Sequence, residues 1–194
     1  MSNIPWNRVL LDTNVWFDYF LGFRPGHCDS YELACALAGA GVDLLCSVTS
    51  TKDLFYLIAA DFKRDYRCRH DGQLTAEGAA AADETAWACL ACLDEIATVV
   101  GCDQSDVWLA RAQRSLHNDY EDNLILAAAQ RAKVDCLITN DQSLIDHSPV
   151  AALSPRRALD YVAAASSGCP AIQSRSMLTR ASSSLPATVP SRRL

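Results

Sequence analysis

The chain has no apolar run long enough to cross a bilayer, and its start lacks the pairing of a charged segment with an apolar one. Neither a membrane span nor a secretory leader is expected. Positive charge is scarce: 17 Lys and Arg stand against 23 Asp and Glu, for a net charge of −6. The Arg residues beyond position 165 meet no acid there, so the body before them is more acidic still. That balance argues against a passive, sequence-independent grip on a phosphate backbone, which draws on many Lys and Arg contacts. A nuclease stays open, because carboxylates gathered around a divalent cation add negative charge that the ion offsets. The 4 His have no paired spacing, which makes a zinc site a poor expectation. No internal repeat is present.

Cysteine is not scarce, but its count of 9 is odd. Together with the missing leader, this points to reduced thiols and a cytoplasmic location. Cys89-Leu-Ala-Cys92 has redox spacing, yet it lies in a long Ala-rich helical pattern and not after a strand, so buried helical thiols are expected there. Half of the 194 residues are hydrophobic. This is enough for one full core with an appendage and too little for two ordinary domains.

The stretch Asp119 to Asp141, DYEDNLILAAAQRAKVDCLITND, organises the rest. Asp119 and Asp122 are three apart at the start of an Ala-rich apolar-periodic run, so a helix there puts both on one face of its first turn. The run breaks near Lys133, and Val134 to Thr139 reads as a fully buried strand closing on Asn140 and Asp141. A second buried run, Val9 to Leu11, closes in the same way on Asp12-Thr13-Asn14. A third, Val42 to Cys46, leads into SVTSTKDLFYLIAADF, where Asp53 sits early in an amphipathic helix. Further strands are expected near Thr98–Gly101 and Val150–Leu153, with helices between all of them. Strand alternating with helix calls for an all-parallel sheet covered on both faces, and polar strand ends at its C-terminal edge lie where such sheets bind ligands.

Each acid also has a plain structural explanation. Asp is a preferred N-cap, and first-turn acids favour the helix dipole. Capping suits Asp119 better than Asp122. Four acids recurring after strands or at helix starts are harder to explain by capping alone.

The motifs LDTNVW, SVTSTKD, DYEDNLILAAA and LITND, in this order, resemble the PIN domain family, the metal-dependent ribonuclease fold that includes the VapC-type toxins of toxin–antitoxin pairs. The resemblance covers residues 8 to about 160. It implies an α/β, PIN-like three-layer α/β/α sandwich with a central parallel sheet of about five strands, as one domain over 1–165. A Ser, Pro and Arg-rich tail, 166–194, is expected to be disordered. It also implies a divalent-metal-dependent endoribonuclease that leaves 5′-phosphate and 3′-hydroxyl ends. Carried over residue by residue, Asp12, Asp53, Asp122 and Asp141 would be the catalytic and metal-holding acids. Asp119, Thr13, Asn14, Ser47 and Asn140 would be accessory. One position departs from the pattern: many members carry Glu at the second site, where this chain has the shorter Asp53. Ser47 and Ser50 ahead of it keep the family's Ser-x-x-Thr-x-x-acid spacing.

Such a grouping suits Mg²⁺ or Mn²⁺, hard ions that prefer carboxylate and water oxygens. Lys63, Arg64, Arg67 and Arg69, with Tyr66 among them, are the one basic run of the body and the candidate contact for single-stranded RNA, set against the plainer reading of a solvated face. Trp6, Trp16, Trp87 and Trp108 are expected in the core or an interface. Expected partners are an RNA substrate, a cognate antitoxin and, from the apolar Trp16, Phe17 and Phe20, a second copy of the chain. The alternatives are a catalytically silent PIN-like module that binds RNA or protein, and a haloacid-dehalogenase-like phosphatase. The phosphatase expects a second Asp where Asn14 stands.

Overall fold

The computed structural model describes residues 4–166. The expected tail lies outside the described residues except for Ser166, which closes the last helix. In chain order the elements are β1 (Arg8–Leu11), α1 (Thr13–Phe20), α2 (His27–Gly39), β2 (Asp43–Ser47), α3 (Val48–Arg69), α4 (Ala76–Ile96) and β3 (Thr98–Val100). They continue with α5 (Gln104–Ala112), a 3₁₀ turn (Gln113–Ser115), α6 (Tyr120–Ala132), β4 (Cys136–Ile138), α7 (Gln142–His147), β5 (Ala152–Leu153) and α8 (Pro155–Ser166).

The five strands form one parallel sheet in the order β3-β2-β1-β4-β5. Alternation along each strand deals side chains to two cores. Val9 and Leu11, Leu44 and Cys46, and Cys136 and Ile138 enter one, with Trp16, Leu33, Leu54, Ile58 and Leu93 from α1 to α4. Leu10, Leu45 and Leu137 enter the other, with Ile125, Leu126, Ala129 and Leu144 from α6 and α7. The sheet is therefore the middle of three layers, as expected.

The order reverses at β1: the chain goes to β2 on one side and returns to β4 on the other. Helices α1 and α7 leave the C-terminal ends of these adjacent strands toward opposite faces, which opens a crevice between them. The C-terminus of α6 is set by Lys133, whose φ of 53° places it in the left-handed region that ends helices. The Lys133 N–H donates to the Gln130 carbonyl and the Val134 N–H to the Ala129 carbonyl, each at 3.1 Å, and the chain turns straight into β4.

Several expectations need correction. Trp16 is fully buried and Phe17 nearly so, against their own sheet, and Phe20 is half-buried on the same cluster, so Trp16 and Phe17 are core residues of one chain and do not themselves argue for a second copy. Trp16 is in the core and Trp6 stacks on Tyr161, but Trp87 and Trp108 are largely exposed. Cys92 is exposed and Cys89 only half-buried, because α4 packs mainly on α3 and turns a broad face to solvent. Among the described residues the buried thiols are in the strands instead: Cys46 and Cys136, each pushed up to about 12 by burial. Among the described residues no helix is long and apolar enough to cross a membrane.

Candidate active site

The strand ends at the crevice are built around Asp12. It is buried, and its carboxylate accepts from Thr13 N–H at 2.6 Å, Asn14 Nδ2 at 2.6 Å and Thr139 Oγ1 at 2.7 Å. Burial raises its pKa; these donors oppose the rise, and the charge of Asp141 adds to it. Asn14 Oδ1 accepts from Asn140 N–H at 3.0 Å, tying the ends of β1 and β4 together. Asp141 caps α7, accepting from Ser143 N–H at 2.7 Å and Leu144 N–H at 3.1 Å. Capping and a place in the site coincide in this residue.

Helix α6 delivers its first turn to the same place. Asp122 is half-buried, and its carboxyl is pushed up to about 6, first by burial. His117 opposes that shift, while Asp12, Asp119 and Asp141 add to it. His117 Nδ1 lies 3.1 Å from Asp122 Oδ2. One donor atom each from His117, Asp122 and Asp141 fall within 4.8 Å of one another, a spread that one ion can bridge. Asp119 is the N-cap of α6, accepting from Glu121 N–H at 2.8 Å, so its local role is the cap.

The second acidic motif comes from α3. Asp53 Oδ1 pairs with Lys52 Nζ at 2.9 Å, and its Oδ2 is buried with no hydrogen-bond partner. Across from it is Glu121, whose carboxyl is pushed up to about 7, first by its hydrogen bond with Asp53, then by burial and by the charge of Asp53. Asp12, Asp53, Glu121 and Asp122 line a single pocket of roughly 230 Å³. Thr13 and Asn14 form part of its polar wall, and Phe17, Leu57 and Ile125 an apolar one.

Not every expected residue arrives. Ser47 caps α3 through Thr49 N–H at 3.3 Å and bonds Thr49 Oγ1 at 2.8 Å. Thr13 Oγ1 donates to Ser50 Oγ at 2.8 Å, so Ser50 is the serine of that motif that meets the first. The Asn140 side chain turns away to Asp18 Oδ2 at 2.9 Å, and only its backbone serves the crevice. The basic run lies at the far end of α3. Lys63 pairs with Asp83 at 2.6 Å, Arg64 with Asp61, and Arg69 with Asp65 at 3.0 Å. Most of its charge is thus matched locally.

Three residues escaped the sequence reading. Thr139 was legible as the first polar residue of a buried strand. Glu121 stood inside the DYED motif beside the acid that was chosen. His117 carried no signal, since a lone His before a helix has many explanations.

A cation fits this site. Asp53 Oδ2 is a buried carboxyl oxygen without a hydrogen-bond partner, and the carboxyls of Asp12, Glu121 and Asp122 are all held above their ordinary range. Packed acids of this kind ask for positive charge, and a set dominated by carboxylate oxygen suits Mg²⁺ or Mn²⁺. The site as a whole is an acid-lined crevice at the switch point of an open parallel sheet.

A family model described as PIN domain matches residues 8–143. The chain belongs to the PIN domain family. Among solved structures, a chain in the crystal structure of VapBC2 from Rickettsia felis, bound to a promoter DNA fragment, is similar with a TM-score of 0.54 and 13% identity, covering 76% of this chain and 98% of that one. VapC20 from Mycobacterium tuberculosis, a sarcin–ricin loop cleaving toxin, is similar with a TM-score of 0.51 and 12% identity, covering 71% and 93%. At such identities the likeness is one of fold. No protein of curated function matches the chain.

Proposed function

We propose that this PIN domain is a divalent-metal-dependent endoribonuclease, the toxin of a type II toxin–antitoxin pair, in which Asp12, Asp53, Asp122 and Asp141 hold Mg²⁺ or Mn²⁺. One observation carries the reading: acids at the end of β1, on α3 and on α6 converge on a single pocket, where the carboxyls of Asp12, Glu121 and Asp122 are lifted by burial and by neighbouring acids. Perturbed carboxyls gathered in a crevice mark functional sites more often than structural ones. The two VapC-related neighbours support the partner and substrate class, an antitoxin and RNA. The domain would span 1–165, with 166–194 as its appendage.

When bound, the ion would lower the pKa of a water and screen the charge of the phosphodiester under attack. The chain's own groups prepare for it. Thr139, Asn14 and the Thr13 N–H fix the orientation of the Asp12 carboxylate, so that little rearrangement remains when a ligand arrives. The buried Phe17 and Ile125 make one wall of the pocket apolar, which strengthens the charge interactions opposite them. The clasp of Asn14 on Asp12 also speaks against the phosphatase alternative, in which Asp12 would be a free nucleophile.

The test is cleavage of a structured RNA by the purified chain with Mg²⁺, with Mn²⁺ and with chelator. Cleavage that needs the ion and is lost in Asp12→Asn supports the reading. Tight Mn²⁺ binding without cleavage of any RNA favours the silent module, and no metal binding removes the reading. A second copy as partner is checked by light scattering at micromolar concentration, where monomer alone removes it.

A further inference from the structure

Glu121 does something its position does not require. It is in the first turn of α6, where an acid favours the helix dipole from almost any rotamer. The capping work there is done by Asp119, which accepts the N–H of Glu121 itself. The residue is largely exposed, so open solvent is available to its carboxylate. Its side chain instead reaches the carboxylate of Asp53 on α3, within hydrogen-bond distance, in the pocket that also holds Asp12 and Asp122.

Asp53 is half satisfied. Lys52 holds Oδ1 at 2.9 Å from the solvent side, with its own side chain 66% exposed. The other oxygen, Oδ2, is shut off from water and has no donor. Two carboxylates in contact, one with an orphaned buried oxygen, form an arrangement that a cation between them completes.

We propose that Glu121 is a metal-holding residue of this chain, gripping a divalent cation jointly with Asp53, so that the longer Glu arm from α6 supplies the reach that the short Asp arm from α3 lacks. The inference rests on reading the pocket as a metal centre. It adds a residue of the third motif that is not among the four acids carried over from the family pattern. It also explains how an Asp serves at the second motif, where the family pattern often has Glu: the missing methylene is made up from across the pocket. The bland alternative is a proton shared between the two carboxylates and no part in metal binding.

The experiment is a Mn²⁺ titration of the full, metal-free chain, read by the EPR signal of free ion, on wild type, Glu121→Gln, Glu121→Asp and Asp122→Asn, with thermal melts of each apo protein. Glu121→Gln should weaken Mn²⁺ binding by at least about tenfold, the scale on which changes around metal sites act. Its apo melting temperature should be unchanged or higher, which separates lost binding from lost folding. Glu121→Asp, which keeps the charge and shortens the arm, should fall between the two. Wild-type Mn²⁺ affinity in Glu121→Gln, alongside lost affinity in Asp122→Asn, overturns the proposal and leaves the metal centre standing. No Mn²⁺ binding by wild type overturns both.

Discussion

Thr139 Oγ1 donates to Asp12 Oδ2 across 2.7 Å, joining residues at the ends of two neighbouring parallel strands, 127 positions apart in the chain. The same oxygen accepts from Asp141 N–H at 3.0 Å and from Asn14 Nδ2 at 3.2 Å. One fully buried hydroxyl thus sets the relation between the first and fourth acidic motifs. Thr139→Val keeps the shape and removes every one of these bonds. Leaving buried polar partners unmatched should cost about 1–3 kcal/mol in denaturant melts. Thr139→Ser should recover most of it, and a fully stable Val variant would show that the hydroxyl is not needed.

The metal-free protein should lose stability as the solution turns from acidic to neutral. Asp122 is raised from 3.8 to about 6, and Glu121 from 4.5 to about 7. A carboxyl raised by folding binds its proton more tightly in the folded state than in the unfolded one. Stability is therefore withdrawn as pH climbs from the unfolded value through the folded one, the reverse of an acid in a salt bridge. Melting temperatures in chelator should fall between about pH 4 and pH 7. Excess Mg²⁺ should flatten the profile, since the ion favours the ionised acids. A wild-type profile that is flat without metal would refute the mutual strain of these carboxyls.

Most of the architecture was legible because each strand is a short apolar run with a polar stop. Val9–Leu11 before Asp12 and Val134–Ile138 before Thr139 fix both the strand and the edge where its acid emerges. Helix bounds shifted by a few residues where capping chose the end: Ser47 starts α3 earlier than its apolar period suggests, because its hydroxyl accepts the Thr49 N–H. Side-chain direction was not legible. Asn140 and Asn14 look equivalent after their strands, yet one turns to Asp18 and the other to Asp12. The Asp53–Glu121 contact depends on how α3 and α6 meet across the sheet end, and no local pattern encodes it.

Asp18 links a loop to the site. It is buried, pairs with Arg24 and accepts from Asn140 Nδ2 at 2.9 Å. Gly26 passes against it: a Cβ there would meet Asp18 Oδ2 and lie 2.8 Å from Asp18 Cγ. Gly26→Ala should force the carboxylate off its partners and cost about 1–3 kcal/mol, the usual scale of overpacking. Because Asn140 lies beside Asp141, Mn²⁺ affinity should also weaken. An Ala variant with wild-type stability would show that the loop yields without strain.

Asp122 separates metal holding from helix support. As a ligand among crowded acids it opposes folding of the metal-free chain, since Asp12, Asp119 and Asp141 all disfavour its charge. Asp122→Asn should therefore leave the apo melting temperature unchanged or slightly higher. It should lower Mg²⁺-dependent RNA cleavage by at least about a hundredfold, the order seen when a main electrostatic contributor is lost. If Asp122 serves only the start of α6, the same change should cost roughly 0.3–1 kcal/mol and spare activity. Paired melts with and without Mg²⁺, beside single-turnover cleavage, distinguish the two. A destabilised Asn variant that still cuts RNA would remove Asp122 from the site.

The basic run offers the last test, because its position and pairing make opposite demands of it. Lys63 lies ten residues beyond Asp53, about 15 Å along α3 at the helical rise. Its ammonium is matched by Asp83, as Arg64 is by Asp61 and Arg69 by Asp65. The Arg69–Asp65 pair is exposed at both ends and contributes about 0–1 kcal/mol, so Arg69→Ala should leave the fold nearly as stable as before. If the run is a solvated face, the Lys63, Arg64, Arg67 and Arg69 to Ala variant should cut RNA at the wild-type rate, with an unchanged dependence on salt. If the run guides RNA, the combined variant should show a higher KM and a shallower loss of binding with added salt, since fewer phosphates are neutralised. The pairing favours the first outcome: a cation already held by a carboxylate must give up that partner before it can take a phosphate. A raised KM with unchanged kcat would return the run to the RNA path.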